Sequence, residues 1–190
     1  MIPSDPAGRA ACNLALARSA AAGELEAIAR LLPMSDPNTR CKFGGTPLMR
    51  AAARGRVEVV RLLLPASDAR AQDGRGWTAL MLAASAGHVA IAKMLLPMSD
   101  ADAVNRTGMT ALMWAARAKH DEIVGLLLEV ASVGMVDEEG LSAAGHARRV
   151  GHDDTAGRIE SFELARVERA ALANAVAFTP KASRARSLSL

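Results

Sequence analysis

The phrase LLPMSD occupies residues 31–36, returns as LLPASD at 63–68, and returns again as LLPMSD at 95–100. A Leu pair at helical spacing is followed at once by proline, and the interval is 32 residues each time. Shifting the chain on itself by 32 brings further positions into register. Gly44, Gly76, Gly108 and Gly140 coincide, as do Thr46, Thr78, Thr110 and Ser142. The pairs Ala51-Ala52, Ala83-Ala84 and Ala115-Ala116 align, and so do Gly23, Gly55, Gly87 and Gly151, with Lys119 the exception. Leu31, Leu63, Leu95, Leu127 and Ile159 close the units. Agreement at so many fixed offsets marks a tandem array of units, each too small to bury its own apolar face.

Each unit reads alike. A glycine-containing turn leads to Thr, whose hydroxyl caps a short Ala-rich helix such as TALMLAASA (78–86). The Ala pairs allow close approach of a neighbouring helix. Gly55 or Gly87 then supplies a left-handed helix end. A second helix follows with apolar residues at helical spacing, as in Val57, Val60, Leu63 and Leu64. Pro33, Pro65 and Pro97 stop it, because proline lacks an amide donor and disfavours helix in the residue before it. The Ser-Asp after each proline favours a turn through side-chain-to-backbone bonds. Stacking of neighbours then gives an all-α solenoid whose contacts run mostly between adjacent units.

Composition agrees with small-residue helix packing. Of 190 residues, 51% are apolar but only 3% aromatic, and a chain of this length supports a substantial core. Cys12 and Cys41 show no paired spacing and read as isolated thiols. Asp5, Arg9 and Arg18 interrupt the N-terminal stretch, so no secretory signal is expected, and no apolar run is long enough to span a membrane. The net charge of +3 comes from TPKASRARSLSL (179–190), which holds Lys181, Arg184 and Arg186 and no acid. Without them, 23 basic residues become 20 against 20 acidic ones, which is no nucleic-acid-binding pattern.

The segments GGTPLMRAAARGRVEVVRLLL (44–64), GWTALMLAASAGHVAIAKMLL (76–96) and GMTALMWAARAKHDEIVGLLL (108–128) resemble ankyrin repeats. The resemblance implies helix-turn-helix units joined by β-hairpin-like turns. A leader is expected at 1–8 and a repeat domain at 9–160, divided 9–40, 41–72, 73–104, 105–136 and 137–160, with looser terminal units acting as caps. Two departures stand out. The family's His after Thr-Pro-Leu is Met49, Met81 and Met113 here, and Gly145 in the last unit, so apolar filling by a flexible thioether is expected in its place. The closing phrase is also one residue shorter than the family's, which explains the period of 32.

His88, His120 and His152 share one repeat position, where the resemblance implies a structural role. His146 has no partner at ligand spacing. Asp121-Glu122 and Asp153-Asp154 read as charges favoured at helix N-termini. DGRGW (73–77) is a turn rather than a phosphate loop. No catalytic, cofactor-binding or metal-binding residue is predicted.

Function is therefore expected at a surface. The resemblance implies a non-catalytic scaffold or adaptor that binds a protein or peptide on a concave face built from hairpin tips and first helices. The residues predicted there are Phe43, Arg54, Arg75, Trp77, Arg106, Met109, Arg117 and Leu141. They combine apolar anchors with arginines, the types enriched at binding hot spots, and the arginines favour an acidic partner or a C-terminal carboxylate. For Trp77, packing against a neighbouring hairpin and binding are both open, whereas Trp114 is expected to pack in the core. The chain is expected to be a cytoplasmic monomer without nucleic-acid or membrane partners. A secreted effector, or an enzyme or small-molecule binder, are the alternatives.

From Asp153 the sequence runs on as a long charged helix, with 161–178 an extension in which Ile159, Phe162 and Val167 cover the end of the stack and Glu163 pairs outward with Arg166. The tail 179–190 is expected to be disordered, with RARSLSL a candidate kinase site or export signal.

Overall fold

The computed structural model describes residues 6–41 and 43–177. Five helical pairs follow one another: α1 (Pro6–Ala22) with α2 (Leu25–Leu31), α3 (Pro47–Ala53) with α4 (Val57–Leu63), α5 (Ala79–Ala86) with α6 (Val89–Leu95), α7 (Ala111–Arg117) with α8 (Asp121–Leu128), and α9 (Ala143–Arg149) with α10 (Asp153–Ala177). First helices pack in chain order on first helices, and second helices on second helices. No strand occurs among the described residues. The all-α solenoid inferred from the register is the architecture observed.

The core repeats with the sequence. Leu16, Leu48, Leu80 and Leu112 lie 32 apart and are buried, as are Ile28, Val60, Ala92, Val124 and Ala156 on the second helices. The Ala pairs are fully buried, so the first helices meet almost backbone to backbone. Each first helix after α1 is capped as its hydroxyl requires: the amides of Met49, Met81, Met113 and Gly145 donate to the side chains of Thr46, Thr78, Thr110 and Ser142.

The methionines do more than fill space. The Met49 and Met113 sulfurs accept the Thr46 and Thr110 amides at 3.4 Å, closing a capping box with a thioether in place of the usual Glu or Gln. The expected apolar filling is corrected to this extent, because the unbranched side chain folds back over its own helix start.

The prolines also act differently from a plain stop. Leu32–Met34, Leu64–Ala66 and Leu96–Met98 form single 3₁₀ turns with proline in the first turn, where its fixed φ suits the geometry and no amide is needed. The turn that follows is an aspartate device. Asp36, Asp68 and Asp100 accept the amides two residues on, at 2.8, 2.9 and 3.0 Å.

Gly55 and Gly87 sit in the left-handed region at φ 68° and 77°, and Lys119 holds the same conformation at φ 59°. A histidine of the next unit lies against each of these glycines: a Cβ on Gly55 would stand 2.7 Å from the His88 ring, and one on Gly87 2.6 Å from His120. His120 Nε2 also donates to the Ser85 carbonyl at 3.2 Å, and His152 Nδ1 to Ala116 at 3.4 Å.

At the C-terminal end, α10 runs unbroken through residue 160, so the end of the last unit and the extension are one helix. Ile159 is buried and Phe162 packs on the core, but Val167 is 61% exposed and does not cover the stack. Arg166 donates to the Ala131 carbonyl, in the turn after α8, at 3.0 Å rather than pairing with Glu163. At the other end α1 begins at Pro6, inside the expected leader. The tail 179–190, with its kinase-site or export reading, lies outside the described residues.

Candidate functional site

The hairpins between units are built by one repeated position that the register alone did not bring out. Asp73 Oδ1 accepts the amides of Arg75 and Trp77 at 2.8 and 2.9 Å. Asn105 Oδ1 does the same for Thr107 and Met109, and Asp137 Oδ1 for Glu139 and Leu141. Asp, Asn and Asp recur at 32, but Cys41 interrupts the series in the first hairpin and has no such acceptor. Neighbouring tips are tied together by backbone bonds from Gly74 to the Phe43 carbonyl, from Arg106 to Arg75 and from Glu138 to Thr107, at 2.9–3.2 Å.

This ladder brings Arg75, Trp77, Arg106 and Met109 to one concavity of about 420 Å³, which Trp114 and Arg117 of α7 and Glu139 also line. Its aromatic wall is a pair. The Trp77 and Trp114 ring centroids lie 4.5 Å apart with the planes tilted by 34°. The Arg117 guanidinium sits 5.5 Å from the Trp114 ring centre, within cation–π range. Both indoles are half-buried and pack on the core, so Trp77 serves packing and surface together. The Trp114 Nε1 is buried without a hydrogen-bond partner among the described residues.

Of the eight predicted residues, Arg54, Arg75, Arg106 and Arg117 are exposed, and none of the four makes an ion pair among the described residues. Phe43 is 73% exposed on the first tip, outside the concavity, and Lys42 beside it lies outside the described residues. Leu141 is half-buried and likewise outside. Met109 is only 4% exposed. It belongs to the core as well as to the floor.

The far wall holds a carboxylate that is already paired. Glu139 pairs with Arg149, and Glu138 is exposed beside it. Beneath them His146 Nε2 donates to Asp137 Oδ2 at 2.7 Å, with both side chains almost fully buried. Burial pushes the Asp137 carboxyl up, but the Leu141 amide, the His146 ring and the Glu139 amide outweigh it and hold the carboxyl below its ordinary value. His146 thus has a structural partner that its sequence neighbours did not reveal.

Among the described residues no group of three or more His, Cys, Asp or Glu is placed to hold a metal ion, and no helix is long and apolar enough to cross a membrane. The family model described as Ankyrin repeats (3 copies) matches residues 16–107 and 58–138. A search of curated proteins found no match to the chain. The matched residues span 16 to 138 and carry the capped first helices, the glycine helix ends and the tied hairpins described above, so the chain belongs to the ankyrin-repeat family.

Proposed function

We propose that this chain is a non-catalytic interaction module that binds a protein or peptide on the face formed by its hairpin tips and first helices. Ankyrin repeats generally mediate protein–protein interaction. The observation that carries the reading here is the concavity that joins exposed Arg75, Arg106 and Arg117 to the Trp77–Trp114 pair. Trp and Arg dominate binding hot spots, because a rigid ring offers area at small entropic cost and a guanidinium offers a directed fork of donors. The hairpin bonds hold this surface in place before a partner arrives, which lowers the ordering cost of binding.

An enzymatic reading has less support. The histidines at 88 and 120 lie against backbone of the preceding unit, and His146 is enclosed with Asp137. On this reading the chain acts as a cytoplasmic monomer; an exported effector acting on another cell's protein would use the same face.

The test is site-specific photo-crosslinking in cell extract, with the reactive residue placed at Thr107 on a hairpin tip or at Arg61 on the second-helix side. A partner captured through Thr107 and absent through Arg61 is the expected result. Capture through Arg61 and not through Thr107 overturns the assignment of the face.

A further inference from the structure

Charges on this molecule are distributed in two ways. On the second helices several charges are paired: Arg61 with Glu58 at 3.3 Å, Lys93 with Glu122 at 2.8 Å, and Arg158 with Asp121 at 3.5 Å. Arg148 is likewise paired with Glu160. Around the concavity Glu139 is paired with Arg149, but the arginines of its lining are not paired. Arg75, Arg106 and Arg117, which line it, stand exposed without a carboxylate partner among the described residues. In a chain whose body is charge-balanced, this leaves a local excess of cations beside the only two tryptophans of the sequence.

We infer that the occupant of this concavity is an acidic peptide segment bearing a large apolar side chain. The inference rests on the interaction reading above and adds the chemistry of the partner. The apolar side chain packs on Trp77 and Trp114, where aromatic surface is already organised. Arg117, stacked on Trp114, keeps its N–H edge for a carboxylate, because cation–π contact uses the guanidinium face and hydrogen bonding uses its rim. Arg75 and Arg106 lie on neighbouring tips, joined by the Arg106 amide and Arg75 carbonyl at 2.9 Å, and offer two further forks to the same segment.

Exposed Glu138, which is in no ion pair among the described residues, sets the register at this wall, where Glu139 is already paired with Arg149. A carboxylate next to it meets like charge, so the anionic stretch runs from Arg106 and Arg117 toward Arg75. The same wall disfavours nucleic acid, whose evenly spaced phosphates would carry negative charge past it. A volume of about 420 Å³ holds a few side chains rather than a folded domain.

The experiment selects displayed random short peptides against the immobilised full chain and measures the winners by fluorescence anisotropy. Peptides in which Asp or Glu flank Phe, Leu or Trp are expected. The Arg75→Glu, Arg106→Glu double variant should weaken them at least about tenfold, with most of the loss in association rate and strongest at low salt. Arg61→Glu should leave them unchanged. The Arg75→Gln, Arg106→Gln pair gives a milder version that keeps the fold secure, and thermal melts verify folding of every variant. Neutral or basic winners that still depend on Arg75, Arg106 or Trp77 would overturn the acidic partner while sparing the face. Winners sensitive to Arg61→Glu alone overturn both. A labelled single-stranded oligonucleotide that binds in an Arg75- and Arg106-dependent way, where no acidic peptide is selected, also overturns the inference.

Discussion

The indole rings of Trp77 and Trp114 meet across the boundary between two repeats, 4.5 Å apart, although the two residues hold non-equivalent repeat positions. Trp77 precedes the capping Thr78, and Trp114 lies within α7. Because one ring belongs to a hairpin and the other to a helix, the contact couples the two. Offset aromatic pairs contribute about 0.5–1.5 kcal/mol beyond their buried area. A double-mutant cycle of Trp77→Leu and Trp114→Leu in urea denaturation should return a coupling in that range. Additive effects would remove the pair from the account of how the hairpin is held.

Met109→Ala should lower stability by about 2–3 kcal/mol, since a 4% exposed methionine leaves a cavity when truncated. The melting temperature should fall by several degrees. An unchanged melt would mean that the side chain is surface rather than floor. Arg61→Ala, whose partner Glu58 is on the same exposed helix face, should shift stability by no more than about 0.5 kcal/mol.

Lys119→Gly should stabilise the protein. Lys119 is the one non-glycine at positive φ among the described residues, at 59°, in the position filled by Gly55 and Gly87 in the preceding repeats. A side chain in the left-handed region costs about 1–2 kcal/mol, partly offset by the greater freedom of glycine in the unfolded chain. The expected net gain is about 0.5–1 kcal/mol in urea denaturation. Gly87→Ala should do the reverse and by more, because its Cβ would also strike the His120 ring at 2.6 Å. A destabilised Lys119→Gly variant would refute the strain argument.

These variants also mark where the sequence was legible. The helix pairs were readable because Thr, Ala-Ala, Gly and Leu recur at 32, each tied to a local physical role. The cationic rim was readable because exposed tips follow from the repeat register. Burial of Met109 was not, since Trp77, Met109 and Leu141 share one repeat position yet differ in depth. The Trp77–Trp114 contact was hidden because it joins unlike positions, and alignment by register pairs only like with like. The Asp73, Asn105 and Asp137 turns left a signal at 32, broken at Cys41 and divided between two residue types with the same Oδ1 chemistry.

Asp137 gives the last prediction, because Asn105 shows what a neutral side chain can do at the same place. Asn105 Oδ1 holds the amides of Thr107 and Met109 as Asp137 Oδ1 holds those of Glu139 and Leu141. Asp137→Asn therefore keeps the turn and removes the negative charge facing His146. At pH 7 the variant should be less stable by about 1.5–3 kcal/mol, the range for a hydrogen bond to a charged group. The carboxyl is held below its ordinary value of 3.8, so its stabilisation is fully present above that pH and is lost as pH falls through the lower folded-state value. The gap between wild type and Asp137→Asn, followed by urea midpoints from pH 7 down to about pH 3, should narrow only at the acid end. A gap that stays constant over the whole range would show that the shape of the side chain, and not its charge, holds the last hairpin against His146.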